Sequence, residues 1–353
     1  MSVTALLLEQ NWNAVPGGTA RAGNRLIRAL LDHTDHHIVG VHGSHRKDAT
    51  LAVPSGLDII EIPLPGRALQ QIWSRVDQPL LDRWVDASVV HFPAYVMAPT
   101  SGARVVTIHD LAFVRHPEWF TSNGVAFLSR FLERVRRSDA TVITPSSITA
   151  DDCLAIGIDE SRVHTIPWGI DATRAPAHEM DRVRDRYSLP ERFVLYVGTL
   201  EPRKNVGNLV EAMRAVENVP LVIVGPQGWG EVDRGDSLTL GEVPDADLGP
   251  LMACATVLAY PSHFEGFGLP VLEAMAQGTP VMTTRKTAPA EIAGGAGLAV
   301  DTHSPAMIAT ALTDMVNSPN ELKEMGTIAL ARAQNYRWAE TAAAHVAIYE
   351  ELA

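Results

Sequence analysis

Short apolar runs alternate with helical patterns from one end of the chain to the other. Few folds are compatible with that alternation, because strands separated by helices read as βαβ units and hence as a parallel sheet covered on both faces, not as a sandwich or a bundle. In the first half, strands are expected at 3–8, 38–41, 58–62, 89–92, 105–108, 142–145 and 163–166. The clearest helix is expected at 18–31, where Ala22, Leu26, Ala29 and Leu30 form an apolar stripe and Arg21, Arg25 and Arg28 stand apart from it. Between Asp171 and Glu191 the periodicity lapses, and a strong strand then opens at Phe193, with further strands expected at 221–224, 256–260, 280–283 and 298–300. The fold class is therefore α/β, with two tandem Rossmann-like doubly wound domains divided near residues 170 and 171. The length of 353 residues agrees, since single cores seldom grow beyond about 250–300 residues.

Charge and cysteine usage exclude some function classes. The net charge of −12 disfavours a general nucleic-acid binder, which neutralises phosphates with clustered Lys and Arg. The charge is unevenly divided: residues 1–170 hold 15 basic against 17 acidic residues, and residues 171–353 hold 14 against 24. Two cysteines, Cys153 and Cys254, give neither a disulfide framework nor a metal-ligand spacing, which fits a reducing, cytoplasmic setting. The first nine residues lack a basic n-region, and their apolar run is too short for a signal peptide. The most apolar window, residues 251–260, is well short of the ~20 residues of a membrane-spanning helix.

Four segments carry candidate chemistry. Residues 261–280 follow a strand, place two glycines in a loop and put a proline where a helix begins; such a loop offers backbone N–H groups and a positive helix end to a phosphate or a sugar hydroxyl. The plain structural alternative is an ordinary strand–loop–helix junction with Glu273 favoured by the first-turn dipole. Arg203 and Lys204 sit just past a strand, where a guanidinium beside an ammonium can clamp phosphate oxygens. Gly17 and Gly18 precede the first long helix and would let the backbone approach a ligand closely, but no Gly-x-Gly-x-x-Gly follows the first strand, which disfavours a dehydrogenase. His109 and Asp110 close a strand at the end where open α/β sheets place ligands; Asp110 could orient the histidine, accept a substrate hydroxyl or cap the next turn.

The segment Glu265-Gly266-Phe267-Gly268-Leu269-Pro270-Val271-Leu272-Glu273 resembles the Glu-x7-Glu signature of retaining family-4 glycosyltransferases of the GT-B fold. The resemblance extends, in order, to Pro16-Gly17-Gly18, Thr107-Ile108-His109-Asp110, Gly198 to Asn205 and Gly241-Glu242-Val243-Pro244. It implies domains at 1–170 on the acceptor side and 171–335 on the donor side, with a last helix at 336–353 that packs back on the first domain. It implies Glu265, His109 and Asp110 as catalytic residues. Gly17, Gly18, Arg203, Lys204, Val243, Gly266, Phe267, Gly268, Leu269 and Glu273 would bind the donor, with Glu273 on the ribose hydroxyls and Val243 on the base through its main chain. One departure is Thr199, which stands where many relatives place an arginine; Arg203 is taken to supply that charge.

The resemblance implies transfer of a hexose from a nucleotide diphospho-sugar, GDP-mannose favoured over a UDP-sugar, to a saccharide or lipid-linked acceptor, with no cofactor and no metal. It is nearest to bacterial mannosyltransferases of surface polysaccharide assembly. The competing classes are a GT-B sugar-nucleotide epimerase or phosphorylase and a non-catalytic nucleotide-sugar binding subunit. Two patterns invite a different reading. Asp245-Ala246-Asp247 resembles a metal-binding tripeptide but is expected to open a helix, and His33, His36, His37, His42 and His45 are expected to be mostly solvated. Arg130, Arg134, Arg136 and Arg137 lie in an amphipathic stretch that could touch an anionic membrane at its inner face.

Overall fold

The computed structural model describes residues 2–13, 17–171, 173–228 and 232–353. Pro16 of the glycine segment lies outside the described residues. The chain divides into two compact units, Met1–Gly169 with Trp338–Ala353, and Ile170–Arg337.

In chain order the first unit builds β1 (Val3–Leu7), α1 (Gly17–His33), β2 (His37–Ser44), β3 (Asp58–Pro65), α2 (Gly66–Trp73), β4 (Val89–Phe92) and β5 (Ala103–Thr107). It continues with α3 (Ala112–Arg115), α4 (Ser122–Arg137), β6 (Thr141–Thr144), α5 (Ser147–Ala155) and β7 (Val163–Thr165). The second unit runs through α6 (Ala177–Tyr187), β8 (Val194–Val197), α7 (Val206–Met213), β9 (Leu221–Val224), β10 (Leu238–Gly241) and α8 (Asp245–Cys254). It ends with β11 (Val257–Tyr260), α9 (Leu269–Ala276), β12 (Val281–Thr284), α10 (Ala288–Ala293), β13 (Leu298–Val300), α11 (Pro305–Asn317) and α12 (Pro319–Ala333). The final helix, α13 (Trp338–Leu352), belongs to the first unit and packs on α1.

Both sheets are parallel throughout. Strand order is β3-β2-β1-β4-β5-β6-β7 in the first unit and β10-β9-β8-β11-β12-β13 in the second. Parallel strands covered on both faces need continuous apolar runs, which Val-Leu-Tyr-Val of β8, Leu-Val-Ile-Val of β9 and Val-Leu-Ala-Tyr of β11 supply; every residue of the three is buried. In each unit the winding reverses once, between β1 and β4 and between β8 and β11, and the two connections there leave the sheet in opposite directions. A crevice opens outside the carboxyl ends of those strands, where such sheets bind ligands. The segments after β1, β4, β8 and β11 include most of the residues singled out above.

Two elements were not legible beforehand. β10 is a four-residue edge strand with every residue only half-buried, so it lacks the apolar signature of its neighbours. α6 lies in the stretch read as a lapse in periodicity; its one buried residue is Val183, and it is held by Arg182 and Arg186 on Asp247 at 2.8 and 3.0 Å.

Candidate active site

The second unit gathers four charged side chains at its reversal point. A short turn at Pro202–Lys204 follows β8 and is fixed by Asn205, whose left-handed backbone (φ 59°) suits asparagine and whose Nδ2 donates to the carbonyls of Pro261 and Thr302 at 3.2 and 2.9 Å. The turn is thereby tied to the loop after β11, and the backbone N–H of His263 donates to the Arg203 carbonyl at 3.0 Å. Arg203 donates to Glu201 Oε1 from Nε at 3.0 Å and to Glu265 Oε2 from Nη1 at 3.1 Å. Lys204 Nζ pairs with Glu265 Oε1 and donates to Tyr260 Oη at 3.1 Å, and the Tyr260 hydroxyl donates to the same carboxylate oxygen at 3.1 Å. Glu201, Lys204 and Glu265 are all buried.

This cluster is electrically balanced, two acids against two bases, which is what burial demands of charge. Burial by itself would raise the Glu265 carboxyl, but Arg203 and Lys204 beside it outweigh burial and bring it down to about 2. Burial pushes the Lys204 ammonium below its ordinary value, against the pull of Glu265. The Tyr260 hydroxyl is raised well above its usual range, chiefly by burial and then by Glu265, so it remains a proton donor. Glu265 is therefore an ionised, immobilised carboxylate of low basicity. Glu201, Tyr260 and Asn205 complete the cluster; none was assigned a role from sequence, and Lys204–Tyr260 and Asn205–Pro261 each join positions 56 residues apart along the chain.

The loop then enters α9. Gly266, Phe267 and Gly268 are buried and Leu269 is half-buried, so backbone groups and not the Phe267 ring are what this loop can offer a ligand. Gly268 caps α9 at φ 107°, and a Cβ there would stand 2.8 Å from Pro289 Cγ and 3.2 Å from its Cα. Gly268→Ala should accordingly destabilise the protein by about 1–3 kcal/mol. Gly207→Ala, at a helical position with open space around it, should be stabilising by roughly 0.5–1 kcal/mol. Thermal unfolding of the two variants checks the contrast. Glu273 is the fifth residue of α9, so a first-turn dipole does not account for it. Val243 is half-buried in the connection from β10 to α8.

In the first unit, His109 follows β5 and is buried. Its Nε2 lies 2.8 Å from the Pro93 carbonyl, an acceptor only, so Nε2 carries the proton and Nδ1 presents a lone pair. Burial lowers its pKa, outweighing the Pro93 carbonyl and Asp110, and the ring stacks on Trp168 at 5.8 Å and meets the edge of Tyr95 at 6.2 Å. Asp110 accepts the Ala112 N–H at 2.9 Å, so of its three readings the turn cap is the one seen. Gly17 and Gly18 do not precede the helix but begin it: they are the first residues of α1, Gly17 at φ 65°, with nothing within 4 Å of a Cβ at either.

Other expectations need correcting. His33 and His37 are exposed, but His42 is buried and His45 nearly so, because Trp12 packs against both rings with centroids 4.3 Å apart. His91 and His345 were missed: both are buried, as His109 is, with His91 bonded to Tyr349 Oη at 2.6 Å and Thr107 Oγ1 at 2.8 Å. Asp245 and Asp247 open α8, and Asp247 is engaged by Arg182, Arg186 and the Tyr187 hydroxyl at 2.6 Å. Among the described residues no group of three or more His, Cys, Asp or Glu could hold a metal ion. On α4, Arg136 and Arg137 pair with Glu133 at 2.9 and 2.7 Å and Arg134 with Asp77 at 2.7 Å, while Arg130 is exposed. Cys153 and Cys254 are free and buried, and no helix among the described residues is long and apolar enough to cross a membrane.

The two units correspond to two family matches. Residues 16–174 match Glycosyltransferase Family 4, and residues 180–332 match Glycosyl transferases group 1. The chain is 30% identical over 271 residues to O-antigen chain mannosyltransferase B of Escherichia coli, covering 71% of each chain. It is 31% identical over 237 residues to the MMP alpha-(1->4)-mannosyltransferase of Mycolicibacterium hassiacum, covering 62% of this chain and 56% of that one. Among solved structures, sucrose-phosphate synthase of Thermosynechococcus elongatus superposes with a TM-score of 0.75 at 19% identity, covering 100% of this chain and 99% of the other. Anabaena HepE in complex with UDP-glucose superposes at 0.76 and 16% identity, covering 100% of both. The chain belongs to the family-4 glycosyltransferases and has their two-domain α/β GT-B fold.

Proposed function

We propose that this protein is a retaining, metal-independent mannosyltransferase of glycan biosynthesis that takes its sugar from GDP-mannose. The observation that carries this is the buried Arg203–Lys204–Glu265 cluster beside the loop into α9. A departing nucleoside diphosphate needs fixed positive groups, and a guanidinium and an ammonium already ordered by carboxylates meet that need without reorganising during the reaction. Backbone N–H groups at Gly266, Gly268 and Leu269 would add to them, with Glu273 on the ribose and Val243 beside the base.

Glu265, held by two cations and a tyrosine, is a poor nucleophile and a poor base. That supports front-face substitution through an ion-paired, oxocarbenium-like state, in which the leaving phosphate takes the acceptor proton and Glu265 holds Arg203 and Lys204 in place. His109 faces the transferred sugar with its Nδ1 lone pair, and Asp110 acts through the backbone turn that positions it. Mannose is favoured because two of the relatives above are named mannosyltransferases. Two free, buried cysteines fit a cytoplasmic setting. Membrane contact through Arg130, Arg134, Arg136 and Arg137 stays outside the proposal, since three of the four are ion-paired within their own unit.

A nucleotide panel tests the reading. GDP-mannose and GDP should raise the unfolding temperature more than UDP-glucose and UDP, since a ligand at a hundred times its Kd stabilises the fold by about 2.7 kcal/mol, and sugar transfer or donor hydrolysis should persist in excess chelator. Larger stabilisation by UDP-sugars would replace the donor, and chelator-sensitive turnover would remove metal independence. Formation of an epimer would assign the epimerase class, and binding without turnover of any donor a non-catalytic subunit.

A further inference from the structure

We infer that a cleft at the amino ends of β11 and β12 binds a soluble phosphorylated small molecule, at a place separate from the Arg203–Lys204–Glu265 cluster of the same unit. The inference does not depend on which sugar the protein transfers.

Thr256 leads into β11 and Pro280 into β12, and both line a cleft of about 710 Å3 together with Gly278, the end of α11 and one face of α12. That volume lies within the roughly 300–1,000 Å3 of small-molecule sites. Tyr260, which joins the charged cluster, stands at the other end of β11. A rise of about 3.3 Å per residue puts Thr256 about 13 Å from Tyr260, so one ligand cannot serve both places through the same phosphate. The floor of the cleft is backbone and apolar. A Cβ at Gly326 of α12 would collide with the Gly278 carbonyl oxygen, so helix and loop meet there without a side chain between them. Leu322 and Leu330, one turn to either side of Gly326, share its helix face and line the cleft with it.

The charge of the walls selects the ligand. Arg174, Arg192 and Lys323 line the cleft, and no Asp or Glu is among its described lining residues, although residues 171–353 hold 24 acids against 14 bases. Elsewhere in the unit Arg182, Arg186 and Arg214 each pair with a carboxylate. Among the described residues none of the three cleft cations does so. Two of them are placed by other means. Arg192 Nη2 donates to the Val316 carbonyl, which occupies one of its five N–H groups and leaves its charge unmatched. The backbone on both sides of Arg174 is clamped by the buried Gln277, which accepts the Ala175 N–H at 2.7 Å and donates to the Thr173 carbonyl at 3.1 Å.

Two guanidinium forks and an ammonium with no acid among them suit a phosphate group, which carries about −1.5 to −2 charge at pH 7 and three acceptor oxygens. A bare phosphate would leave most of the volume empty, whereas a phosphate ester sets its carbon body against Leu322, Leu330 and Pro280. Glu321 and Glu324 stand exposed beside Lys323 on α12 but do not line the cleft. They repel an anionic bilayer, while a small molecule inside reaches the cations without meeting them.

Methyl NMR of the full chain, labelled at Leu and Val, tests this with phenyl phosphate as the probe. Phenyl phosphate should shift the methyl signals of Val316, Leu322 and Leu330, while phenol, and sodium chloride at matched ionic strength, should not. Arg174→Gln/Lys323→Gln, at two exposed positions, should weaken the probe at least about tenfold and leave the unfolding temperature unchanged. Arg214→Gln, at an exposed cation outside the cleft, should bind as the wild type does. Leu269 reports separately on the loop at the other end of β11. A response at Leu269 alone, an equal response to phenol or salt, or undiminished binding by the double variant would each overturn the inference. Flotation with phosphatidylglycerol vesicles that the double variant abolishes would overturn it too, by making the cleft a membrane contact.

Discussion

Glu265→Ala is expected to be the most damaging single substitution in the second unit. It leaves the buried Lys204 and the half-buried Arg203 with one remaining acid, Glu201, and removing one partner of a buried pair such as Lys204–Glu265 destabilises by about 3–5 kcal/mol. Transfer should fall by about 100-fold or more, the loss seen when a fixed group stabilising developing charge is removed or displaced. Stability and chemistry are separable here. In Glu265→Ala/Lys204→Met, Arg203 keeps Glu201 at 2.9 Å and the site is again neutral, so the unfolding temperature should recover in part while transfer stays at the level of the single variant or below. Near-normal transfer by Glu265→Ala would remove Glu265 from the machinery. The acid limit follows from the same pair: the carboxyl is depressed in the folded state, so its contribution is present above the ordinary glutamate range and is lost as pH falls through about 2.

The second large effect lies in the first unit and has the opposite chemical origin. His345 of α13 donates Nδ1–H to the Thr341 carbonyl at 2.7 Å, and its Nε2 is buried with no hydrogen-bond partner among the described residues. Burial lowers its pKa from 6.5 to about 4, holds His91 well below its ordinary value, and lowers His109 too. Groups held neutral by burial stabilise the fold above their unfolded pKa, and that contribution is lost as pH falls. Between pH 6.5 and 4 the first unit should therefore lose about 3 kcal/mol from His345 alone, measured as a falling unfolding midpoint. His345→Leu should flatten that part of the profile, and a profile as steep as the wild type would assign the acid sensitivity elsewhere.

Much of the fold was legible because a parallel sheet writes itself into the sequence. Each covered strand needs an uninterrupted apolar run, and Val194–Val197 or Val257–Tyr260 can hardly be anything else. Where the physics changes, the reading lapsed: β10 is an edge strand that needs no such run, and α6 is tethered by ion pairs to Asp247 and not by an apolar face. The same limit applied to the sites. Glycine loops, a basic pair and an acid near strand ends mark where ligands go, but they do not reveal that Glu265 spans Arg203 and Lys204, or that His91 and Tyr349, 258 positions apart, share a hydrogen bond. Those pairings are set by topology. Composition was a weak guide for the same reason: a net charge of −12 coexists with a cluster of two cations and two acids arranged around one turn.

The return of α13 to the first unit also bears on how the protein is made. The polypeptide leaves that unit at Gly169 and re-enters it at Trp338, so the ribosome must deliver all of residues 170–337 between the two parts. At the roughly 5–20 residues per second of synthesis, this is a delay of about 10–30 s. By its end the second unit has everything it needs to fold, while the older segment still waits with the α1 surface and the His91 imidazole lacking their partners on Trp338–Leu352. The part of the protein that is synthesised first is therefore finished last, and a nascent chain stalled at Trp338 presents a complete second unit joined to an unfinished first one.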